Sequence, residues 1–211
     1  MKQFKAFKHN LEIVHSTNKA NKPYKLELNR FAGMHHAEFK SMYTGLKAAA
    51  RPTIKAAKKV ITMEEWPYDF KYRNENDIVV KIRGFEQVPL NNEQALLASV
   101  ANQPVQVAVA VEEAFMMYQQ GVMTAPCGKE IAHGVIAVGY DTAPDGTPYW
   151  IIKNSWGADW GEKGYIRMLR GIPDKEGYCG MHVASHIPLT EACSKELPPG
   201  GDPVIKSSRD L

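Results

Sequence analysis

Apolar and polar positions near the start of the chain follow a helical period. Apolar residues recur there at steps of three and four residues: Phe4, Phe7, Leu11 and Val14. This spacing predicts an amphipathic helix over residues 2–18. Residues 24–31 alternate from one position to the next and predict a short strand, and residues 36–43 predict a second helix. The beginning of the chain therefore predicts a helix–strand–helix unit.

The pattern changes to a two-residue alternation after residue 77. Segments 78–85 and 105–111 predict strands, and residues 91–102 between them predict a helix that Pro104 ends. Further strands are predicted over residues 134–140, 149–153 and 164–169. Because turns rather than crossover helices join these strands, we expect an antiparallel sheet within an α+β fold.

Composition and charge limit the classes of function. A hydrophobic fraction of 44% in 211 residues is enough for a globular core of one domain or two small ones. The net charge of +3 divides into +10 over residues 1–60 and −7 over residues 61–211. A basic segment can bind nucleic acid, but here the lysines follow an amphipathic pattern. We therefore expect two oppositely charged pieces that pack together, and no nucleic-acid partner.

Hydropathy gives no membrane or secretion signal. No apolar run approaches the roughly 20 residues that span a bilayer. The first ten residues alternate charged and aromatic side chains without the apolar core of a signal peptide. We expect no membrane partner, and the cellular compartment stays unknown.

Two motifs in the second half of the chain carry candidate chemistry. Asn154 lies in a segment with three tryptophans, Trp150, Trp156 and Trp160, and His133 begins an apolar strand. A lone histidine in such a place is more often a core residue. Together, however, the motifs resemble the His and Asn motifs of papain-family cysteine peptidases. The resemblance implies that His133 and Asn154 are catalytic residues, with His133 as the base, Asn154 orienting its ring, and a Trp ring shielding their hydrogen bond.

The N-terminal unit resembles the inhibitory propeptide of the same family. The matching positions are Phe7, Asn10, Val14 and Asn18 in the helix, and Asn29 and Phe31 after it. Three positions depart from the propeptide motifs: Gln3 stands for an Arg, and Glu27 and Gly33 replace a Gly and an Asp. The resemblance implies that residues 2–46 occupy a peptidase cleft in a non-productive direction.

The family's nucleophile domain has no counterpart in the sequence. Residues 47–60 have the composition of a linker, and residues 61–68 resemble a segment from late in that helical domain. The Cys-Gly-Ser-Cys-Trp motif and the Gln of the oxyanion hole, which belong between them, are not found. We therefore predict four parts: a partial propeptide over residues 1–46, a junction over 47–60, a C-terminal β-domain over 61–188 and a disordered tail over 189–211. The predicted β-domain resembles the antiparallel, barrel-like half of the papain fold.

The chain has three cysteines, and the sequence gives none of them a nucleophile's setting. Cys127 lies in a Pro/Gly loop rather than at the start of a long helix, where the helix dipole would lower the pKa of a thiol. The family resemblance implies a disulfide between Cys127 and Cys179 in an oxidising compartment, and Cys193 is then free. A metal site formed by Cys127, Glu130 and His133 lacks paired ligand spacing, so we expect no metal and no cofactor.

Three functional hypotheses follow from these motifs. The first is a papain-like peptidase homologue that has lost peptide hydrolysis, with peptide or protein substrates in the family and small side chains (Ala108, Ala132 and Ala184) on its half of the specificity pocket. The second is a propeptide-like inhibitor that binds a papain-like peptidase through residues 2–46. The third is a truncated gene product without a selected function.

Overall fold

A computed structural model describes residues 2–45, 60–62 and 82–190 of the chain. Most of the predicted junction over residues 47–60, the first part of the predicted β-domain and residues 191–211 of the predicted tail lie outside these described residues. Residues 189 and 190 of that predicted tail belong to a strand. The folded region therefore extends at least to Thr190.

The described residues form a mixed α+β fold, as the sequence predicts. The helices are α1 (Lys2–Lys19), α2 (His36–Tyr43), α3 (Glu93–Asn102) and α4 (Glu113–Met116), with a 3₁₀ segment at Tyr178–Val183. The strands are β1 (Tyr24–Leu26), β2 (Val60–Thr62), β3 (Ile82–Gln87), β4 (Val105–Val109), β5 (Tyr118–Met123), β6 (His133–Thr142), β7 (Pro148–Lys153), β8 (Tyr165–Leu169) and β9 (Ser185–Thr190). The sequence predicts the bounds of α1, α2 and α3 closely and extends β1 too far. It does not predict α4, β2, β5 or β9, and Val60 of the predicted junction belongs to β2.

All nine described strands belong to one sheet, in the order β1-β5-β8-β7-β6-β4-β9-β3-β2. The predicted antiparallel arrangement holds for every described pair except β5 and β8, which are parallel, with Val122 opposite Arg167. Strands β6, β7 and β8 alternate in direction, so β8 runs the same way as β6. The loop over residues 124–132 returns the chain before β6 begins, and β5 therefore shares the direction of β8.

The N-terminal unit joins this sheet through its own strand. Strand β1 pairs with β5, and Tyr24 lies opposite Gly121. Gly121 has φ +92°, and a Cβ atom there would approach the carbonyl oxygen of Pro23 to 2.2 Å. Only glycine accommodates both the backbone conformation and this close approach.

One hydrophobic core extends from the N-terminal unit into the sheet. On α1, the buried face consists of Ala6, Asn10 and Val14 at four-residue intervals. Of the predicted apolar stripe only Val14 belongs to this face, because Phe4, Phe7 and Leu11 are exposed. The core includes Phe31 and Phe39 together with Trp156, Trp160 and residues of most of the later strands. The two oppositely charged parts of the chain thus share a core.

No helix among the described residues has the length and apolar character needed to cross a membrane.

Candidate active site

His133 and Asn154 lie at the same end of the sheet. His133 is the first residue of β6, and Asn154 directly follows the last residue of β7. Since β6 and β7 pair in antiparallel fashion, with Ile136 opposite Lys153, the start of one strand adjoins the end of the other. The structure brings the two side chains together, with 2.9 Å between His133 Nε2 and Asn154 Oδ1.

Trp156 covers this hydrogen bond from one side. Its ring stacks on the His133 imidazole, with centroids 4.9 Å apart and planes inclined by 22°. Trp156 is itself buried, and His133 and Asn154 are 5% and 8% exposed. The pair therefore lies in a water-poor environment.

The surroundings of His133 favour its neutral form. Burial lowers the pKa of the imidazole, and the hydrogen bond with Asn154 opposes this effect without reversing it. An amide oxygen can only accept, so Nε2 carries the proton that it donates to Asn154. Nδ1 is then the basic nitrogen, and the arrangement can accept a proton there.

A second hydrogen bond fixes the Asn154 side chain. Its Oδ1 also accepts from the backbone N–H of Ser155, at 2.8 Å. The conformation of the loop after β7 therefore sets the position of the oxygen that orients His133.

The N-terminal unit packs over this loop from the other side. Trp156 Nε1 donates to the carbonyl oxygen of Tyr43 at 3.2 Å. The Phe39 ring meets Trp156 edge to face at 4.9 Å, and the Phe31 ring lies at 5.8 Å. We call residues 2–45 the covering segment, because they contact the tryptophan that shields His133.

The asparagines singled out in the N-terminal sequence tie the covering segment together. The buried Asn10 Nδ2 donates to the carbonyl oxygens of Ala32 and Met34, at 2.8 and 3.0 Å. Asn18 accepts from the backbone N–H of Leu26 and donates to its carbonyl oxygen. These bonds fasten α1 to the strand and turn that follow it.

Asn29 links the covering segment to the second half of the chain. Its Nδ2 donates to the carbonyl oxygen of Met116 at 2.9 Å, while its Oδ1 accepts from the backbone N–H of Phe31. One side chain thus both shapes the turn before α2 and anchors it on the β-rich half.

Two of the three cysteines are joined. Cys127 and Cys179 form a disulfide with 5.1 Å between their Cα atoms, which confirms the predicted pairing. Neither sulfur is available as a nucleophile, or as a ligand in the metal site considered for Cys127, Glu130 and His133. Cys193 lies outside the described residues.

The three alanines expected to line the specificity pocket lie in or next to strand β4. Ala108 N–H donates to the carbonyl oxygen of Ala184, and Ala132 N–H donates to that of Val109, both at 3.0 Å. Val109 in turn lies opposite His133 in the sheet. Ala108 therefore lies on β4 beside the strand that carries the histidine, Ala132 directly precedes His133, and Ala184 lies on the far side of β4.

Sequence reasoning missed two contacts between the covering segment and the rest of the molecule. Arg30 donates through Nη2 to the carbonyl oxygen of Trp156, and His36 Nε2 lies 2.8 Å from the carbonyl oxygen of Val111. Both partners are backbone oxygens, which leave no signal in residue spacing.

Comparison with known proteins places these features in a family. The family described as "Papain family cysteine protease" matches residues 5–189. Vignain from Ricinus communis is 34% identical over 306 aligned residues, covering 98% of this chain and 83% of vignain. Since the chain has 211 residues, at least 95 aligned positions have no counterpart in it.

Two solved structures match different shares of the chain. A recombinant stem bromelain precursor has a TM-score of 0.73 at 26% identity, and the match covers 90% of this chain and 92% of the precursor. The bromelain protease from Ananas comosus in complex with the E64 inhibitor has a TM-score of 0.54 at 40% identity, and its match covers 61% of each chain. A larger share of this chain therefore matches the precursor than the protease.

Proposed function

The chain belongs to the papain family of cysteine proteases, and we propose that it is a non-catalytic member of that family. It retains the base and the residue that orients the base, and it lacks the nucleophile. The family is one of cysteine proteases, and one relative is a KDEL-tailed cysteine endopeptidase of Arabidopsis thaliana, so the chemistry of the family is peptide hydrolysis. In this chain the inherited pair is a structural element beneath the covering segment.

The contact between His133 and Asn154 carries the proposal. A neutral imidazole with Nδ1 free of its proton is the state in which a base removes a proton from a thiol. Two of the three cysteines are consumed by the disulfide, and the sequence places the third, Cys193, in a polar segment after the last strand. Among the described residues, His133 then has no free thiol to activate.

The alignment gap supports the loss of a domain. At least 95 positions of the vignain alignment lack a counterpart here, and the nucleophile motif of the family is not found in the sequence. The precursor match covers 90% of the chain and the protease match 61%. We therefore interpret residues 2–45 as a partial propeptide and the residues after the junction as a β-domain.

The covering segment packs its aromatic side chains against the loop that carries the site. Phe31 and Phe39 bury their rings against Trp156 and share its core. Burying such aromatic side chains is a large stabilising contribution. We infer that residues 2–45 stay attached as a resident part of the fold.

An inhibitor acting on another peptidase is not proposed. The groups of the covering segment that would meet a second protein already bond within their own chain, as in the β1–β5 pairing and the Asn29–Met116 contact. Inhibition in trans would require these contacts to open first.

Peptide hydrolysis by the full chain tests the proposal. Casein and a panel of fluorogenic dipeptide substrates are incubated with the purified chain and a mild thiol reductant, between about pH 4.5 and pH 7.5, the range over which a histidine titrates. We expect no more hydrolysis than with the matched variant His133→Ala. Hydrolysis that exceeds this control and is lost on treatment with iodoacetamide would overturn the proposal. Its loss in Cys193→Ser as well would identify Cys193 as the nucleophile.

A further inference from the structure

Arg30 joins the covering segment to the loop that carries Asn154 and Trp156. Its Nη2 donates to the carbonyl oxygen of Trp156, and its Nη1 lies 3.4 Å from Asp159 Oδ2. The guanidinium also lies 4.8 Å from the centroid of the Phe31 ring, within the segment's own aromatic cluster. One side chain thus connects the cluster that covers the site with the backbone of the site loop.

The hydrogen bond from Arg30 to the loop backbone stabilises the contact more than the ion pair with Asp159 does. The Arg30 and Asp159 side chains are 46% and 61% exposed, and ion pairs with such exposure contribute little. The bond to the Trp156 carbonyl is partly buried and charge-assisted, which makes it stronger and harder to replace by water.

Gly157 gives the loop next to Arg30 a backbone conformation that favours glycine. Its φ is +90°, and a Cβ atom there would lie 2.8 Å from Asp159 Oδ1 and 3.6 Å from Arg30 Nη1. The loop therefore turns in a conformation that favours glycine and presents the Trp156 carbonyl to Arg30.

We propose that Arg30 is a positioning residue, which holds the loop of residues 154–156 against the covering segment through the Trp156 carbonyl and so keeps Asn154 bonded to His133. The inference rests on the proposed function in one respect, because it assumes that residues 2–45 remain seated over the pair. Arg30 is then the side chain that connects the covering segment to the His133–Asn154 pair.

A short path links Arg30 to His133. The bonded carbonyl belongs to Trp156, the preceding N–H of Ser155 donates to Asn154 Oδ1, and the same oxygen accepts from His133. Release of the Trp156 carbonyl therefore frees the backbone that fixes Asn154. The stacked Trp156 ring moves with it and admits water to the imidazole.

The indole protons report on this path directly. Trp156 Nε1–H is bonded to Tyr43 across the boundary of the covering segment, whereas Trp160 Nε1–H is bonded to the Met116 carbonyl at 3.1 Å. Exchange of the Trp156 indole proton monitors seating of the segment on the loop. The Trp160 proton is an internal control in the same spectrum.

Arg30→Met in the full chain, followed by NMR, tests the proposal. Methionine keeps the apolar stem and removes both donors. We expect exchange of the Trp156 indole proton to accelerate about tenfold or more, the factor associated with loss of a hydrogen bond to a charged group. Exchange of the Trp160 proton stays unchanged, and the pKa of His133 rises towards its ordinary value as the ring becomes hydrated.

Two matched variants separate positioning from charge. Arg30→Lys keeps a charged donor and restores both readouts to within about threefold of the native chain, and Asp159→Asn removes only the exposed ion pair and leaves them unchanged. If Arg30→Met does not fold, Arg30→Gln replaces it in the comparison, with an intermediate acceleration expected.

Unchanged Trp156 exchange and an unchanged His133 titration in Arg30→Met would overturn the proposal, as would an equal effect of Asp159→Asn. These readouts do not depend on peptide hydrolysis. A catalytically active chain would contradict the proposed function, and the role of Arg30 could still be measured from Trp156 exchange and the His133 titration.

Discussion

The ring of Phe39 meets the ring of Trp156 edge to face, with 4.9 Å between their centroids. Phe39 belongs to α2 of the covering segment, and Trp156 shields the hydrogen bond between His133 and Asn154. This contact unites the segment and the site in one core. If the segment and the site share a core, a substitution in the segment should lower the free energy of unfolding of the whole molecule.

Truncation of Phe39 should destabilise the whole molecule. Phe39 has no exposed surface, so Phe39→Ala is expected to lower the free energy of unfolding by about 3–5 kcal/mol. Urea unfolding followed by tryptophan fluorescence measures this loss. Phe4→Ala is the matched control, because Phe4 is 72% exposed, and it should change the stability by less than about 0.5 kcal/mol. Equal effects of the two substitutions would contradict a shared core.

Asn154 should control the tautomer of His133. In the native chain, ¹⁵N NMR should show the proton on Nε2, because Asn154 Oδ1 accepts from it at 2.9 Å. Asn154→Ala leaves that donor buried without its partner and should lower the free energy of unfolding by about 1–3 kcal/mol. The His133 ring should then populate a mixture of its two neutral tautomers. Asn102→Ala is the control, since its side chain makes an exposed bond to the Ala98 carbonyl. A proton on Nδ1 in the native chain would contradict the assignment.

Three buried histidines should make the fold sensitive to acid. Burial lowers the pKa of His133, His182 and His186 below the ordinary value of 6.5. The unfolded chain then binds protons that the folded chain does not, so stability is complete above about pH 6.5 and falls as the pH drops below it. Each histidine contributes a slope of at most about 1.4 kcal/mol per pH unit.

Urea unfolding at pH 7.5, 6.5 and 5.5 checks this slope. His133→Gln should reduce it by the contribution of one proton. Asn102→Ala, which removes an exposed side chain without a titratable group, should leave it unchanged. A stability that does not vary between pH 7.5 and pH 5.5 would refute the prediction.

The disulfide should contribute to stability through the length of chain that it closes. Cys127 and Cys179 are 52 positions apart, and the chain-entropy relation gives a ceiling of about 4 kcal/mol for such a loop. The double variant Cys127→Ser/Cys179→Ser should therefore lose about 2–4 kcal/mol. Cys193→Ser should change the stability by less than about 0.5 kcal/mol. A double variant as stable as the native chain would show that the crosslink is dispensable.

Periodicity and capping predict those helices and strands whose bounds are set by local sequence signals. The α3 helix begins after Asn92, whose Oδ1 accepts from the Ala95 N–H, and the asparagine cap is visible in the sequence. The pairing of Cys127 with Cys179 and the juxtaposition of His133 with Asn154 were expected from the family resemblance. Spacing alone would have left His133 a core histidine.

The remaining features depend on contacts between distant segments. Strand β5 contains Gln119, Gln120 and Gly121 in succession, so it lacks the alternation that marks a half-buried strand, and its place follows from β1 and β8 on its two sides. Strand β9 contains Pro188, which argues against a strand in a sequence taken alone. The bond from Arg30 to the Trp156 carbonyl has a backbone partner, so no residue pattern encodes it.

Hydrogen exchange measured by mass spectrometry on the full chain tests the central claim most directly, namely that residues 2–45 and the sheet fold as one unit over the His133–Asn154 pair. The account predicts that amides of α1 and α2 are protected with the same opening free energy as amides of β6 and β7, within about 1 kcal/mol. Exchange of the covering segment at the rate of an open chain, while β6 and β7 stay protected, would contradict it.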